Sequence, residues 1–275
     1  MGDGLARGLC AARAYRPTAP LGPRNSRVAW RKWCFTATMT TPEYLRPFVL
    51  PTEPATVIDG GGFDLYLSSN RAGPTPVTVL VHGGPMREPP VAPATHWPVF
   101  RGYAAALAAR GIAAAMFDHV LLRSMDYAKA AEQLAAVVDA ARAHAAVDGD
   151  RVAIWFFSGG GPLAAWALRK PPQWLRAVAL SYPMLQPLGQ VSGFAPALEL
   201  SAATRLPILL TRVGLEFPDF AAAQDDFVNA AQSQRADLTV IEIPDGHHAF
   251  DVVDNTDHCR QAIADALAFL HGRLI

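Results

Sequence analysis

The feature that most constrains this 275-residue chain is a repeated alternation of two patterns. Short, nearly continuous apolar runs stop abruptly at Gly, Ser, His or Asp. Each is followed by a stretch with helical spacing. Val77–Val81 runs into His82-Gly83-Gly84-Pro85, Ile112–Phe117 closes at Asp118, and Arg151–Phe157 ends at Ser158-Gly159-Gly160-Gly161. A run that is apolar on both parities suits a strand covered on both faces of a parallel sheet. Between these runs, helices are predicted over Pro98–Arg110, with Gly111 placed to end it, and over Asp126–Ala146, where Leu134, Val137, Val138 and Ala141 recur on one face.

The same pattern extends in both directions. Thr56–Asp59 and Phe63–Ser68 read as short strands around Gly60-Gly61-Gly62, and Asp148-Gly149-Asp150 reads as a turn. Leu175–Leu180, Leu206–Leu210 and Leu238–Ile243 are three further strands. Helices fit Pro162–Arg169, Phe220–Gln232 and Asp257–Leu270. Such βα alternation specifies an α/β fold: a doubly wound, mainly parallel sheet with helices on both faces. The stretch 182–204 breaks the rhythm. It holds Met184, Leu185, Leu188, Phe194 and Leu198 and reads as a small lid.

Composition narrows the class. Hydrophobic residues make up 51% of the chain, enough for a large core, and the formal net charge is +0, which points to neither nucleic acid nor an acidic partner. No apolar run reaches the ~18 residues of a membrane helix. The cysteines, Cys10, Cys34 and Cys259, show no metal-ligand spacing and no disulfide framework. That usage fits a reducing compartment, and the expected location is the cytoplasm. No sequence feature sets an oligomeric state.

Charge is uneven. Residues 1–38 carry Arg7, Arg13, Arg16, Arg24, Arg27, Arg31 and Lys32 against one acid, Asp3, and are broken by Pro17, Pro20 and Pro23. Arg-rich, acid-poor composition is shared with mitochondrial transit peptides. The reading adopted is a disordered leader or an over-extended start, since Met39-Thr40-Thr41-Pro42 has the look of a start. The folded domain is then 39–275.

In open parallel sheets, ligands bind beyond the carboxyl ends of the strands. The segments with chemical potential all lie there. Ser158 stands at a strand-to-helix turn, where a sharp bend would lift its hydroxyl into a cleft. The form Gly-x-Ser-x-Gly is matched by Phe156-Phe157-Ser158-Gly159-Gly160, with Phe156 in place of the first small residue. A serine hydroxyl needs a base to take its proton. After the last strand stands Gly246-His247-His248-Ala249-Phe250, and His248 is the expected base, with His247 the alternate. An acid to orient that histidine belongs after Leu206–Leu210. Glu216 is preferred to Asp219, which could equally serve the following helix. Two N–H donors are needed for a developing oxyanion. Gly159 and Gly84 are the candidates, Met86 is the alternate, and Pro85 has no N–H to give. His82 and Asp118-His119 are expected to brace turns, and Trp155 and Phe157 to be core. No phosphate or dinucleotide fingerprint is present, and no cofactor or metal is expected.

Taken together, these residues resemble the α/β-hydrolase superfamily, and within it the dienelactone-hydrolase-like branch. The likeness rests on Val147–Trp155, Phe157-Ser158-Gly159-Gly160-Gly161, Arg212-Val213-Gly214-Leu215-Glu216 and Gly246–Asp251, and spans about residues 52–275. It implies the α/β-hydrolase fold, with nucleophile, acid and base at Ser158, Glu216 and His248. It also implies hydrolysis of a small-molecule carboxylic ester through an acyl-enzyme. Two departures stand out: Phe156 at the turn, and Glu where Asp is commoner. Dienelactone hydrolases proper use a cysteine nucleophile, and none stands at this turn. Two other readings are compatible with the same residues: a serine peptidase acting on small peptides, and a catalytically silent scaffold used for binding.

Overall fold

The computed structural model describes residues 42–86, 90–122, 124–186, 200 and 205–275. The leader 1–38 and most of the expected lid, 187–199 and 201–204, lie outside the described residues. Of the expected lid's beginning, Met184 and Leu185 are buried in the domain core.

Eight strands form one sheet: β1 (Thr56–Asp59), β2 (Asp64–Leu67), β3 (Thr75–Val81), β4 (Ala113–Met116), β5 (Val147–Phe157), β6 (Leu175–Ser181), β7 (Ile208–Leu215) and β8 (Leu238–His247). Their order is β1-β2-β4-β3-β5-β6-β7-β8. The first two strands form an antiparallel hairpin joined antiparallel to β4, and every pair from β4 to β8 is parallel. Among the described residues six α-helices connect or flank them: α1 (Pro98–Ala108), α2 (Tyr127–Ala143), α3 (Ala164–Arg169), α4 (Pro218–Gln234), α5 (Phe250–Val253) and α6 (Asp257–Leu274).

Local chemistry explains the helix ends. Proline opens α1 and α4 at their first position, where no helical N–H is needed. Asp126 caps α2 by accepting from the Lys129 N–H at 2.9 Å, and Thr256 caps α6 by accepting from Cys259 N–H at 3.2 Å. Gly111, at φ +78, lets the chain turn out of α1 into β4.

The helices cover both faces. Alternate residues of a strand face opposite sides. Leu80, Trp155, Phe157, Ala179 and Leu209 share one hydrophobic cluster with α1 and α6. The other parity, including Val79, Ile154 and Phe156, is equally buried but outside that cluster. α2 packs on β3 and β5 from that second side, through Tyr127, Ala130, Leu134, Val138 and Ala141. Each large aliphatic buried this way contributes about 2 kcal/mol.

Some boundaries differ from the sequence expectation. Asp148-Gly149-Asp150 is not a turn: β5 starts at Val147, which pairs with Thr75, and a register shift precedes Val77. β7 and β8 run on past their apolar cores, to Leu215 and His247, because each continues to pair with the other. Main-chain pairing does not require apolar side chains, so these extensions carry no periodic signal. The 3-10 turn Ser158–Leu163 occupies the start of the helix expected at Pro162, since three glycines and a proline suit a tight turn better than an α-helix.

Candidate active site

The site lies at the carboxyl ends of β3, β5, β7 and β8, and begins with Ser158. Its φ is +48, in the left-handed region that a residue with a Cβ rarely adopts. The turn is held from several sides. The Ser158 carbonyl accepts from Met184 N–H at 2.9 Å. The Gly159 carbonyl accepts from the Tyr127 hydroxyl, at the start of α2, at 2.9 Å. Packing over-determines the strained residue, which is what keeps such strain in place.

Phe156 does not prevent this bend. Its ring is fully buried in the sheet. Room for the sharp return is found downstream of the serine. A Cβ on Gly160 would stand 2.5 Å from the His82 carbonyl oxygen, and one on Gly161 would stand 2.6 Å from that of Met184. Glycine at both places permits the main chain to close in.

The Ser158 hydroxyl lies 2.8 Å from His248 Nε2. On the far side of the ring, His248 Nδ1 lies 2.9 Å from Glu216 Oε1 and 3.1 Å from Oε2. Glu216 follows β7 directly, and its side chain is 1% exposed. Two donors already point at it: the Phe217 N–H to Oε1 at 2.8 Å, and Gln224 Nε2 to Oε2 at 3.4 Å. The carboxylate is therefore an acceptor, His248 Nδ1 carries the proton, and Nε2 presents its lone pair to the serine. Three aromatic rings surround His248: Tyr182 at 4.9 Å, Phe217 at 5.2 Å and Phe220 at 5.4 Å between centroids. They limit where the imidazole can swing.

The alternates stand elsewhere. His247 is 60% exposed and pairs with Asp254 at 3.0 Å. Asp219 is exposed in the first turn of α4, where its charge complements the helix dipole. The Met86 N–H is directed at the Leu122 carbonyl, 3.3 Å away. Gly84 and Gly159 face one another across the turn, so closely that no side chain fits between them.

The loop carrying Gly83 and Gly84 is braced by His82. His82 Nε2 accepts from the His119 N–H at 3.1 Å, so its Nδ1 donates to the Gly83 carbonyl at 2.6 Å. His119 Nε2 donates to the His82 carbonyl at 3.1 Å, and the two rings stack at 3.5 Å. Both imidazoles are buried, and burial pushes both toward the neutral form: His82 down to about 4, and His119 well below its ordinary range. Asp118 ties the neighbouring turn, accepting from the Ala94 N–H at 2.5 Å and the Thr95 hydroxyl at 3.1 Å.

Sequence reasoning did not find Tyr127, Gln224, Tyr182 or Asp251. Tyr127, Gln224 and Tyr182 lie on ordinary helix faces or a strand end with no local motif, and Asp251 stands in the segment Gly246–Asp251 but was given no role there. The one available signal was Gln224 and Tyr127 as polar groups on the buried stripes of α4 and α2. Among the described residues no group of three or more His, Cys, Asp or Glu converges as a metal site, and no helix is long and apolar enough to cross a membrane.

No protein-family model matches the chain, and no curated protein sequence does. Solved structures do match. The carboxylesterase EstE1, cloned from a metagenomic library, superposes with a TM-score of 0.64 at 17% identity, over 82% of this chain and 92% of that one. A thermophilic esterase of Thermogutta terrifontis gives 0.60 at 18% identity, over 79% and 93%. A Klebsiella pneumoniae protein assigned as a dienelactone hydrolase gives 0.60 at 17%, over 76% and 92%. With the strand order and the elbow at the end of β5, these likenesses show that the chain has the α/β-hydrolase fold.

Proposed function

We propose that this protein is a serine hydrolase that cleaves carboxylic esters of small molecules through an acyl-enzyme. The observation that carries the reading is the unbroken hydrogen-bond relay from Glu216 through His248 to Ser158, ending on a serine held at φ +48. Ser158 attacks the ester carbonyl while His248 Nε2 takes its proton. Glu216 holds the Nδ1–H tautomer and stabilises the imidazolium that results. The N–H groups of Gly159 and Gly84 receive the oxyanion. His248 then gives its proton to the departing alcohol. A water, deprotonated by the same histidine, releases the acid and restores Ser158.

The esterases and the dienelactone hydrolase that share the fold support an ester substrate. The serine at the turn favours the esterase-like members over cysteine enzymes. Phe156, the departure at the turn, is buried without loss of the bend at Ser158, which favours an active site over a silent scaffold. The cysteine usage supports a reducing compartment such as the cytoplasm.

The test is release of p-nitrophenol from p-nitrophenyl esters of two to eight carbons, by the wild type and Ser158→Ala. Ser158-dependent turnover that falls about a thousandfold or more in the variant supports the reading. Turnover of aminoacyl anilides instead would make it a peptidase. Equal inactivity of both proteins at every chain length would leave a binding scaffold.

A further inference from the structure

A buried carboxylate outside the relay stands close behind it. Asp251 is three residues beyond His248, in α5, and is 1% exposed. Ala249, at φ +61, turns the chain between them. Asp251 Oδ2 accepts from the Tyr182 hydroxyl at 2.7 Å and from the Tyr103 hydroxyl at 3.0 Å. Oδ1 has no partner among the described residues. No cationic side chain among them pairs with it. A carboxylate in this setting is costly, and its cost is least when a positive charge forms nearby.

The surroundings show where that charge is. Tyr182 donates to Asp251 and stands edge-on to His248, with centroids 4.9 Å apart. Phe250 packs perpendicular to Tyr182, with centroids 5.7 Å apart. The titratable groups around Asp251 are Tyr103 from α1, Tyr182 after β6, His248 after β8 and Cys259 from α6, with Glu216 after β7 bearing on Tyr182. Of these only His248 becomes cationic. Both phenols are driven well above their ordinary range by burial and by the Asp251 charge, so they stay protonated and donate.

We propose that Asp251 is a positioning residue: a second buried carboxylate that, bridged by Tyr182, favours the protonated form of His248 during catalysis. Burial raises Asp251 to about 6, with the Tyr182 and Tyr103 hydrogen bonds opposing that rise. The two hydroxyl donors favour its ionised form. Glu216 supplies the direct contact and Asp251 a longer-range field. The inference rests on the hydrolase reading for its role in turnover, but not for its electrostatics.

The experiment follows His248 by NMR in protein labelled with 13C at histidine Cε1, assigning its signal by its loss in His248→Gln. Wild type and Asp251→Asn are titrated, and the acid limb of kcat/KM on a p-nitrophenyl ester is recorded for both. The expected result is a His248 midpoint lower in Asp251→Asn by about half a pH unit or more, a threefold loss of proton affinity, with the acid limb displaced the same way. A folded Asp251→Asn whose midpoint stays within about 0.2 unit of wild type overturns the proposal. A purely structural role would lower the melting temperature without moving the midpoint. If Asp251→Asn does not fold, Tyr103→Phe is read instead. It strips one donor from the carboxylate without touching His248, and must shift the midpoint in the same direction. Absence of Ser158-dependent turnover would defeat the hydrolase reading alone, since the NMR titration needs no substrate.

Discussion

Gly159 and Gly84 approach so closely that a Cβ on Gly159 would stand 1.7 Å from the Gly84 carbonyl oxygen. The obstacle is backbone, which cannot swing aside as a flexible side chain does. The two loops that supply the proposed oxyanion donors are thus set by one another. Gly159→Ala is expected to push the Gly84 loop outward and lower kcat by about a hundredfold or more, as loss of an oxyanion donor does. Overpacking should also cost about 1–3 kcal/mol of stability. Ester kinetics and urea unfolding of the same variant check both effects. Near-normal kcat would mean that the donors lie elsewhere.

The choice of acid is open to direct test. Glu216 is buried against His248, whereas Asp219 is exposed on α4. Glu216→Gln should keep the shape but disturb the histidine tautomer, with kcat/KM falling by about 10³–10⁴. Asp219→Asn should stay within about twofold of wild type, as surface substitutions usually do. The reverse pattern in paired ester assays would reassign the acid.

Gln224 is buried in α4, and its Nε2 reaches the Pro183 carbonyl at 3.1 Å and Glu216 Oε2 at 3.4 Å. It therefore joins the acid to the chain that follows β6. Gln224→Leu should leave both acceptors short of a donor, costing about 1–3 kcal/mol. A fall in kcat of about tenfold with little change in KM is expected, because the acid loses support rather than substrate losing a contact. Chemical denaturation and steady-state kinetics measure the two separately.

Acid should weaken, through His82, the loop that carries Gly83 and Gly84. Its folded value is lowered, from 6.5 to about 4, chiefly by burial, so the folded state favours the neutral ring. The stability this contributes is full above about pH 6.5 and is lost as pH falls from there through 4. The whole effect is on the order of 3 kcal/mol. His119 shifts in the same direction and adds to it. Melting temperature followed from pH 7 to 4 should drop more steeply in wild type than in His82→Asn, which has no ring to protonate. Parallel curves would show that other groups govern acid stability.

Much of the architecture was legible because burial on both faces of a sheet leaves a mark in consecutive residues. Val77–Val81 and Ile112–Phe117 are apolar on both parities, and both became central strands. The limits of β5, β7 and β8 were not legible. Asp148, Gly214 and Asp245 fall where the register shifts, and the pairs on either side of them form through the main chain, which any side chain permits. Phe156 stands where a small residue is usual, yet the bend at Ser158 forms, because the glycines after Ser158 carry the close approach.

The sequence by itself determined which chemistry was available: a serine at a glycine-rich strand end, acids after β7, and a histidine pair at the end of β8, in that chain order. Those are local facts, written in neighbouring residues. Which acid and which histidine meet the serine was decided only by the tertiary structure. Ser158 and His248 are 90 residues apart, and His248 and Glu216 are 32 apart. Their meeting depends on β5, β6, β7 and β8 lying side by side and on where each strand stops pairing. The brackets around them, Tyr127 on Gly159, Gln224 on Glu216, and Tyr103 and Tyr182 on Asp251, join elements through single hydrogen bonds. A bond between side chains brought together by folding leaves no period in the chain, so only the folded structure could reveal it.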